Sequence, residues 1–385
     1  MKKLIAFLLA LTILSGCAVV GTQASPAAES TLDFAVNLLR ETTEEGENTL
    51  ISPLSVLTAL AMTANGAEGE TLTQMEQVLG GTRDVLNQWL KSFGSDETLK
   101  MANGIWLKDD EKFKPHQDFL DRAKKVYDAQ IETAHFDEAT QKEINDWVNK
   151  KTDGMISKII DEIPEEAVLY LVNALAFDAE WSEPYADYQV QEEEFTTEDG
   201  EKQTVEMMYD AVADYLRTEN AQGFLKWYEG ERYAFAALLP DEGVGVQELL
   251  DSLTGEKLAS LLSKPEETLV QTAIPKFESG SHLELRKALD DMGMENAFDG
   301  ELADFSAIGR YEDANLCISR VLHKTYIAVT ERGTRAGAAT AVELEAGGTM
   351  AEPTTVYLNR PFVYMIVDME QQLPIFMGTC MEVND

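Results

Sequence analysis

Glu331-Arg332-Gly333-Thr334-Arg335-Ala336-Gly337-Ala338-Ala339-Thr340-Ala341-Val342-Glu343 is the stretch whose reading decides the fold of this chain. It opens a 25-residue segment, Glu331 to Thr355, that is rich in Gly, Ala and Thr and poor in large apolar side chains. That composition predicts an exposed loop, and loops so long in a compact domain are usually functional or disordered. Its first half nevertheless keeps a period of two. Thr334, Ala336, Ala338, Thr340 and Val342 share one face, small and uncharged. Arg335, Gly337, Ala339, Ala341 and Glu343 share the other, which holds both charges. A strand with one face buried and one wet has this pattern. The loop is able to become a strand.

Outward from that segment the pattern is α+β. Helical spacing runs through Ser30–Leu39, Pro53–Met62, Glu70–Leu79, Asp84–Phe93, Phe119–Tyr127, Ile144–Val148 and Leu283–Met292. Ser52 followed by Pro53 marks one helix start. Strand patterns cover Leu99–Leu107, Val168–Phe177, Tyr233–Leu239, Ala314–Thr330, Val356–Leu358, Phe362–Met369 and Ile375–Val383. Val168–Phe177 and Phe362–Val367 are nearly continuous in apolar residues, which predicts strands covered on both faces. Helices dominate the first third and strands the last, so alternating α/β architecture is excluded. No Pro/Gly/Ser-rich linker divides the interior, and one domain is expected.

The bulk numbers bound the function. Of 385 residues, 69 are acidic and 31 basic, a formal charge of −38. Phosphate backbones are bound by clustered Lys and Arg, so nucleic acid is excluded as a partner. Residues 1–16 read as a leader: Lys2 and Lys3, then an apolar run Leu4–Leu14 too short to span a bilayer. The run ends in Leu14-Ser15-Gly16-Cys17, which resembles the bacterial lipoprotein cleavage box and implies a lipid on Cys17. Residues 17–29, mostly small, read as a tether, and residues 30–385 as the folded domain. The expected location is extracytoplasmic, on the cell envelope or secreted, with the membrane touched only through the lipid. Cys317 and Cys380 lie in apolar runs and are expected to be small buried core residues. The four histidines, His116, His135, His282 and His323, lack ligand spacing, and no nucleophile elbow, phosphate loop or metal motif is present. No metal, no cofactor and no enzymatic activity are expected.

Six motifs then resemble the serpin family, in family order from about Ser30 to Val383. Glu331 through Thr340 resembles the inhibitory hinge. Asn48-Thr49-Leu50-Ile51-Ser52-Pro53-Leu54-Ser55 is similar to the start of the family's second helix. Leu171-Val172-Asn173-Ala174-Leu175-Ala176-Phe177 with Trp181 resembles its central strand, and Val321-Leu322-His323-Lys324 its Val-x-His-Lys. Asn359-Arg360-Pro361-Phe362 and Pro374-Ile375-Phe376-Met377-Gly378 resemble its C-terminal signature. The resemblance implies three β-sheets surrounded by eight or nine helices, and an exposed reactive-centre loop that inserts into the largest sheet. It implies hinge roles for Glu331, Gly333, Thr334, Ala336, Ala338, Ala339 and Thr340. Ser52, Ser55, Asn173 and His323 would form the shutter, with serine hydroxyls supplying the buried His and Asn. Trp181 would sit in the breach, where the loop enters.

The implied function is irreversible inhibition of a serine protease, by a monomer, through a covalent acyl complex. The reactive bond is expected at Met350–Ala351, counting back from Asn359-Arg360-Pro361-Phe362. Counting forward from Glu331 gives Gly347–Gly348 instead. Met350 suits elastase-like, chymotrypsin-like or subtilisin-like pockets, and no Lys or Arg lies between Arg335 and Arg360 to suit a trypsin-like one. No glycosaminoglycan is expected to bind, since Asp84–Phe93 holds a single lysine, Lys91. The alternative on the same fold is a non-inhibitory substrate, carrier or structural protein, whose mark would be a damaged hinge.

Overall fold

The computed structural model describes residues 26–91, 93, 96–164, 167–312, 315–334 and 354–383. The first third is mainly helical: α1 (Pro26–Thr42), strand β1 (Thr49–Ile51), α2 (Pro53–Ala64), α3 (Gly69–Leu79) and α4 (Arg83–Leu90). Then come β2 (Leu99–Lys108), β3 (Phe113–Pro115), α5 (Gln117–Tyr127), β4 (Gln130–Ala134), α6 (Glu138–Lys151), β5 (Leu169–Phe177) and β6 (Ala179–Glu180). A run of strands follows: β7 (Val190–Thr196), β8 (Lys202–Arg217), β9 (Ala221–Trp227) and β10 (Tyr233–Pro240). After α7 (Val246–Ser252) and α8 (Gly255–Ser263) come β11 (Glu266–Pro275), β12 (Phe277–Glu284), α9 (Arg286–Asp291), β13 (Gly309–Tyr311) and β14 (Leu322–Val329). The chain closes with β15 (Gly333–Thr334), β16 (Thr354–Tyr357), β17 (Phe362–Asp368) and β18 (Leu373–Cys380).

Helix α2 shows how sequence becomes position. Ser52 caps it, its Oγ accepting from the Ser55 N–H at 3.3 Å, and Pro53 fills the first turn. Every α2 residue except Ala59 is buried, because the helix is apolar all round and lies inside the molecule. Strands β10, β17 and β18 are buried along their whole length, and β17 lies antiparallel between the other two. Helix α1 opens at Pro26, inside the stretch expected to be tether. Among the described residues no helix is long and apolar enough to cross a membrane.

Sheet pairing positions the site. One ladder of nine strands runs β1-β18-β17-β10-β9-β8-β11-β16, with β7 added on β8. Strand β8 is 16 residues long and belongs to two layers: its Met207–Tyr215 part pairs with β11, its Asp214–Arg217 part with β9. Two of the expected sheets therefore join into one ladder. The remaining large layer comes in two pieces, β4-β2-β5 and β12-β14-β15-β6. These are continuous along the chain, since β5 runs through Asp178 into β6, and Asp178 keeps the pairing with its N–H on Thr98 O at 2.9 Å.

Three expectations need correction. Residues 315–321 form no strand, and Cys317 is exposed. The β12–β14 ladder ends at Glu284–Leu322 because the chain turns at Leu285 into α9, leaving those residues no partner strand. For the same reason Leu283 and Glu284 belong to β12 rather than to a helix, tertiary pairing overriding a helical period. Cys380 is buried, as expected.

Candidate functional site: the sheet and its hinge

The expected loop does not begin at Glu331. Gly333 and Thr334 are already strand, antiparallel to both neighbours: Thr334 pairs with Val329 of β14 on one side and Ala179 of β6 on the other. Below this rung no described strand lies between β14 and β5, and no ladder joins them. Among the described residues, the rung of Gly333 and Thr334 is all that joins β14 to the strand that continues β5.

Those two residues fit for steric and polar reasons. A Cβ on Gly333 would stand 2.1 Å from Ala179 O, so only glycine lets the strands approach. Thr334 is fully buried, and its Oγ1 shares a 2.6 Å hydrogen bond with the Tyr228 hydroxyl. Burial drives the Tyr228 pKa far up, so the phenol stays neutral. Trp181 stacks on Tyr228 with ring centroids 4.4 Å apart. It also grips the hinge, its backbone N–H donating to Arg332 O at 2.8 Å and its Nε1–H to Thr330 O at 2.9 Å. The Tyr185 N–H donates to Glu331 O at 2.8 Å. Glu331 pairs with Lys276 at 3.1 Å, and Lys276 also reaches Glu206 at 3.2 Å. Partial burial opposes the Lys276 charge, but the two carboxylates outweigh it and raise its pKa.

Further along β14, His323 meets the Ser52 cap of α2, which also holds Ser55. The Ser52 backbone N–H donates to His323 Nε2 at 2.9 Å, and Ser52 Oγ donates to Ile375 O at 2.7 Å. The imidazole is thus held by a main-chain donor, not by a serine hydroxyl. Desolvation lowers the His323 pKa to about 4, so the ring is neutral, with Nε2 as the acceptor. Asn173 turns to the neighbouring strand, its Nδ2 donating to Asn103 Oδ1 at 2.8 Å; its own Oδ1 is buried without a partner. The serine hydroxyls thus supply neither buried group, because helix capping and Ile375 already use Ser52.

Ala336, Ala338, Ala339, Thr340, Gly347, Gly348, Met350, Ala351 and Cys17 lie outside the described residues. Sequence reasoning missed Tyr228, Tyr185, Lys276 and Lys226. Only Lys226 left a signal: a single lysine in the run Ala221–Trp227, which contains no other charge. Among the described residues no group of three His, Cys, Asp or Glu could hold a metal ion.

Comparison with known proteins agrees with this architecture. Residues 29–383 match the family described as Serpin (serine protease inhibitor). An uncharacterized serpin-like protein of Thermococcus kodakarensis is 32% identical over 378 residues, covering 94% of this chain and 87% of its own. Among solved structures, the thermophilic serpin tengpin in its native state is 44% identical, with a TM-score of 0.87 over 92% of this chain and 94% of that one. Tengpin in its latent state gives 41% and a TM-score of 0.82, covering 93% and 98%. The chain belongs to the serpin family, whose members are in general serine protease inhibitors.

Proposed function

We propose that this chain is an irreversible, suicide-substrate inhibitor of serine proteases of elastase-like, chymotrypsin-like or subtilisin-like specificity. The observation that carries the reading is the hinge rung at Gly333–Thr334, because it sets a register. Continued through Asp178 in an inserted loop, that register would put Ala336 between Ile327 and Phe177, Ala338 between Thr325 and Leu175, and Thr340 between His323 and Asn173. All six flanking residues are buried, and each inserted residue on that face is small and neutral. Thr340 would bring a hydroxyl to the unpartnered Asn173 Oδ1.

The chemistry belongs to the protease. Its serine Oγ attacks the Met350 carbonyl carbon, the Met350–Ala351 amide breaks, and the Ala351 amine leaves with a proton from the protease histidine. Met350 is then esterified to the enzyme. Insertion of the Glu331 side of the loop drags that ester away from the docking site, and about 1 Å of misplacement costs deacylation about 10²-fold. We take Cys17 as lipidated and the domain as extracytoplasmic, on the strength of Leu14-Ser15-Gly16-Cys17.

The test mixes the domain with an elastase, a chymotrypsin, a subtilisin and a trypsin. Denaturing gels should show a covalent complex with one of the first three. Mass spectrometry should find a released peptide beginning at Ala351. Clean cleavage without a complex by all four would favour a substrate-like member.

A further inference from the structure

Lys226 is a charge where a sheet interior would ordinarily hold an apolar residue. It lies on β9 opposite Phe235 of β10, with its side chain only 4% exposed. A buried ammonium must be paired and hydrogen-bonded. Its Nζ donates to Asp210 Oδ2 at 2.5 Å and to Glu183 O at 3.2 Å. It also stands 4.3 Å from the Tyr185 ring centroid and 5.5 Å from that of Trp181. Each of these contacts except Asp210 falls on the short segment Trp181–Tyr185, the one whose donors hold the carbonyls of Thr330, Glu331 and Arg332. The Tyr185 hydroxyl is buried with no partner, so that ring is placed by what touches its face rather than by its polar end. Asp210, on β8, pairs with Thr272 of β11, and Thr272 pairs with Val356 of β16, the strand that follows the loop. The ion pair thus ties the seat of the hinge to the layer on which the loop ends.

We infer that Lys226, held by Asp210, is a positioning residue for loop insertion. It fixes Trp181 and Tyr185 so that the hinge carbonyls, and with them the Gly333–Thr334 rung, stay in the register from which the strand grows. The inference rests on the inhibitory reading and adds the residue that sets its efficiency. Buried ion pairs are often replaceable by apolar residues without loss of stability, so position rather than stability is the gain. Losing the cation should slow insertion while leaving the loop as easy to cut.

The experiment measures two quantities on the full domain against a protease that wild type traps: the rate of loop cleavage, and the number of inhibitor molecules consumed per complex. Lys226→Met should raise the second on the order of fivefold, equivalent to about 1 kcal/mol lost from the insertion step, and move the first less than twofold. Asp210→Asn should shift it in the same direction. The double variant should add little, because the two residues act as a unit. Tyr185→Leu, which removes the ring face, should reproduce the effect, while Tyr185→Phe, which removes only an unpartnered hydroxyl, should not. Tyr185→Leu and Asp210→Asn carry the test if Lys226→Met does not fold. Unchanged partitioning in the folded variants, whatever happens to their melting temperatures, overturns the inference and leaves the inhibitory reading standing. A wild type that traps no protease overturns the inhibitory reading itself.

Discussion

At His323 a single proton bears on the stability of the fold. Nε2 accepts the Ser52 N–H, so protonation would set two donors against each other in a buried site. The native pKa, about 4, lies below the ordinary value of 6.5. Between those values the unfolded chain binds a proton that the native chain refuses, so stability falls as pH drops from about 6.5 and levels off below about 4. The loss by pH 5 is on the order of 2 kcal/mol. His323→Gln keeps an acceptor for Ser52 and removes the titration. Denaturant unfolding at pH 7 and pH 5 should therefore cost wild type more than the variant. Parallel losses would mean that the native imidazole is not held neutral. Thr334 is a second such residue. Thr334→Arg would place a charge against the Tyr228 hydroxyl in a fully buried position, and that arginine should stay out of the sheet. Its loop should still be cut, with the covalent complex abolished; a complex surviving on gels would refute the role given to the rung.

Strand β15 shows at the scale of an element how little holds the sheet closed. Gly333→Ala would put a methyl 2.1 Å from Ala179 O and 2.7 Å from Glu180 Cα, both main-chain atoms that cannot yield without parting β6 from β15. Overpacking of this kind costs about 1–3 kcal/mol. The variant should melt lower than wild type and consume more inhibitor per complex, a pairing of effects that calorimetry and gel titration read together. Of this element, the burial of Thr334 was legible in the sequence, as the first small, uncharged position of the alternation that starts there. Helix α2 was legible too, from Ser52-Pro53 and a continuous apolar run. Strands β8 and β11 were not. Their exposed faces carry Glu206, Glu266, Glu267 and other polar groups, and their pairing is non-local, so local propensity reads them as loops. The grip on the hinge was illegible for the same reason: Tyr228 and Thr334 stand 106 positions apart and meet only through the fold.

For the whole molecule, the facing edges of β5 and β14 are where an added strand would make its hydrogen bonds. Among the described residues, β5 is laddered to β2 alone and β14 to β12 plus a single rung of β15, so each has one edge with no described partner strand. A cleaved loop laid there from Arg335 to Val342 and beyond would make about a dozen ladder bonds. At a net of about 1 kcal/mol each, the gain is on the order of 10 kcal/mol. For a domain of this size that is a rise in melting temperature on the order of 10 °C. The prediction needs no target enzyme, only a protease that nicks the loop and is not trapped. Thermal unfolding of the nicked domain should lie well above that of the intact one. The same nick in Thr334→Arg should give no rise, because the first rung cannot form. If nicked and intact wild type melt together, the loop stays out of the sheet, and no force remains to carry an acylated protease away from the site where it would deacylate.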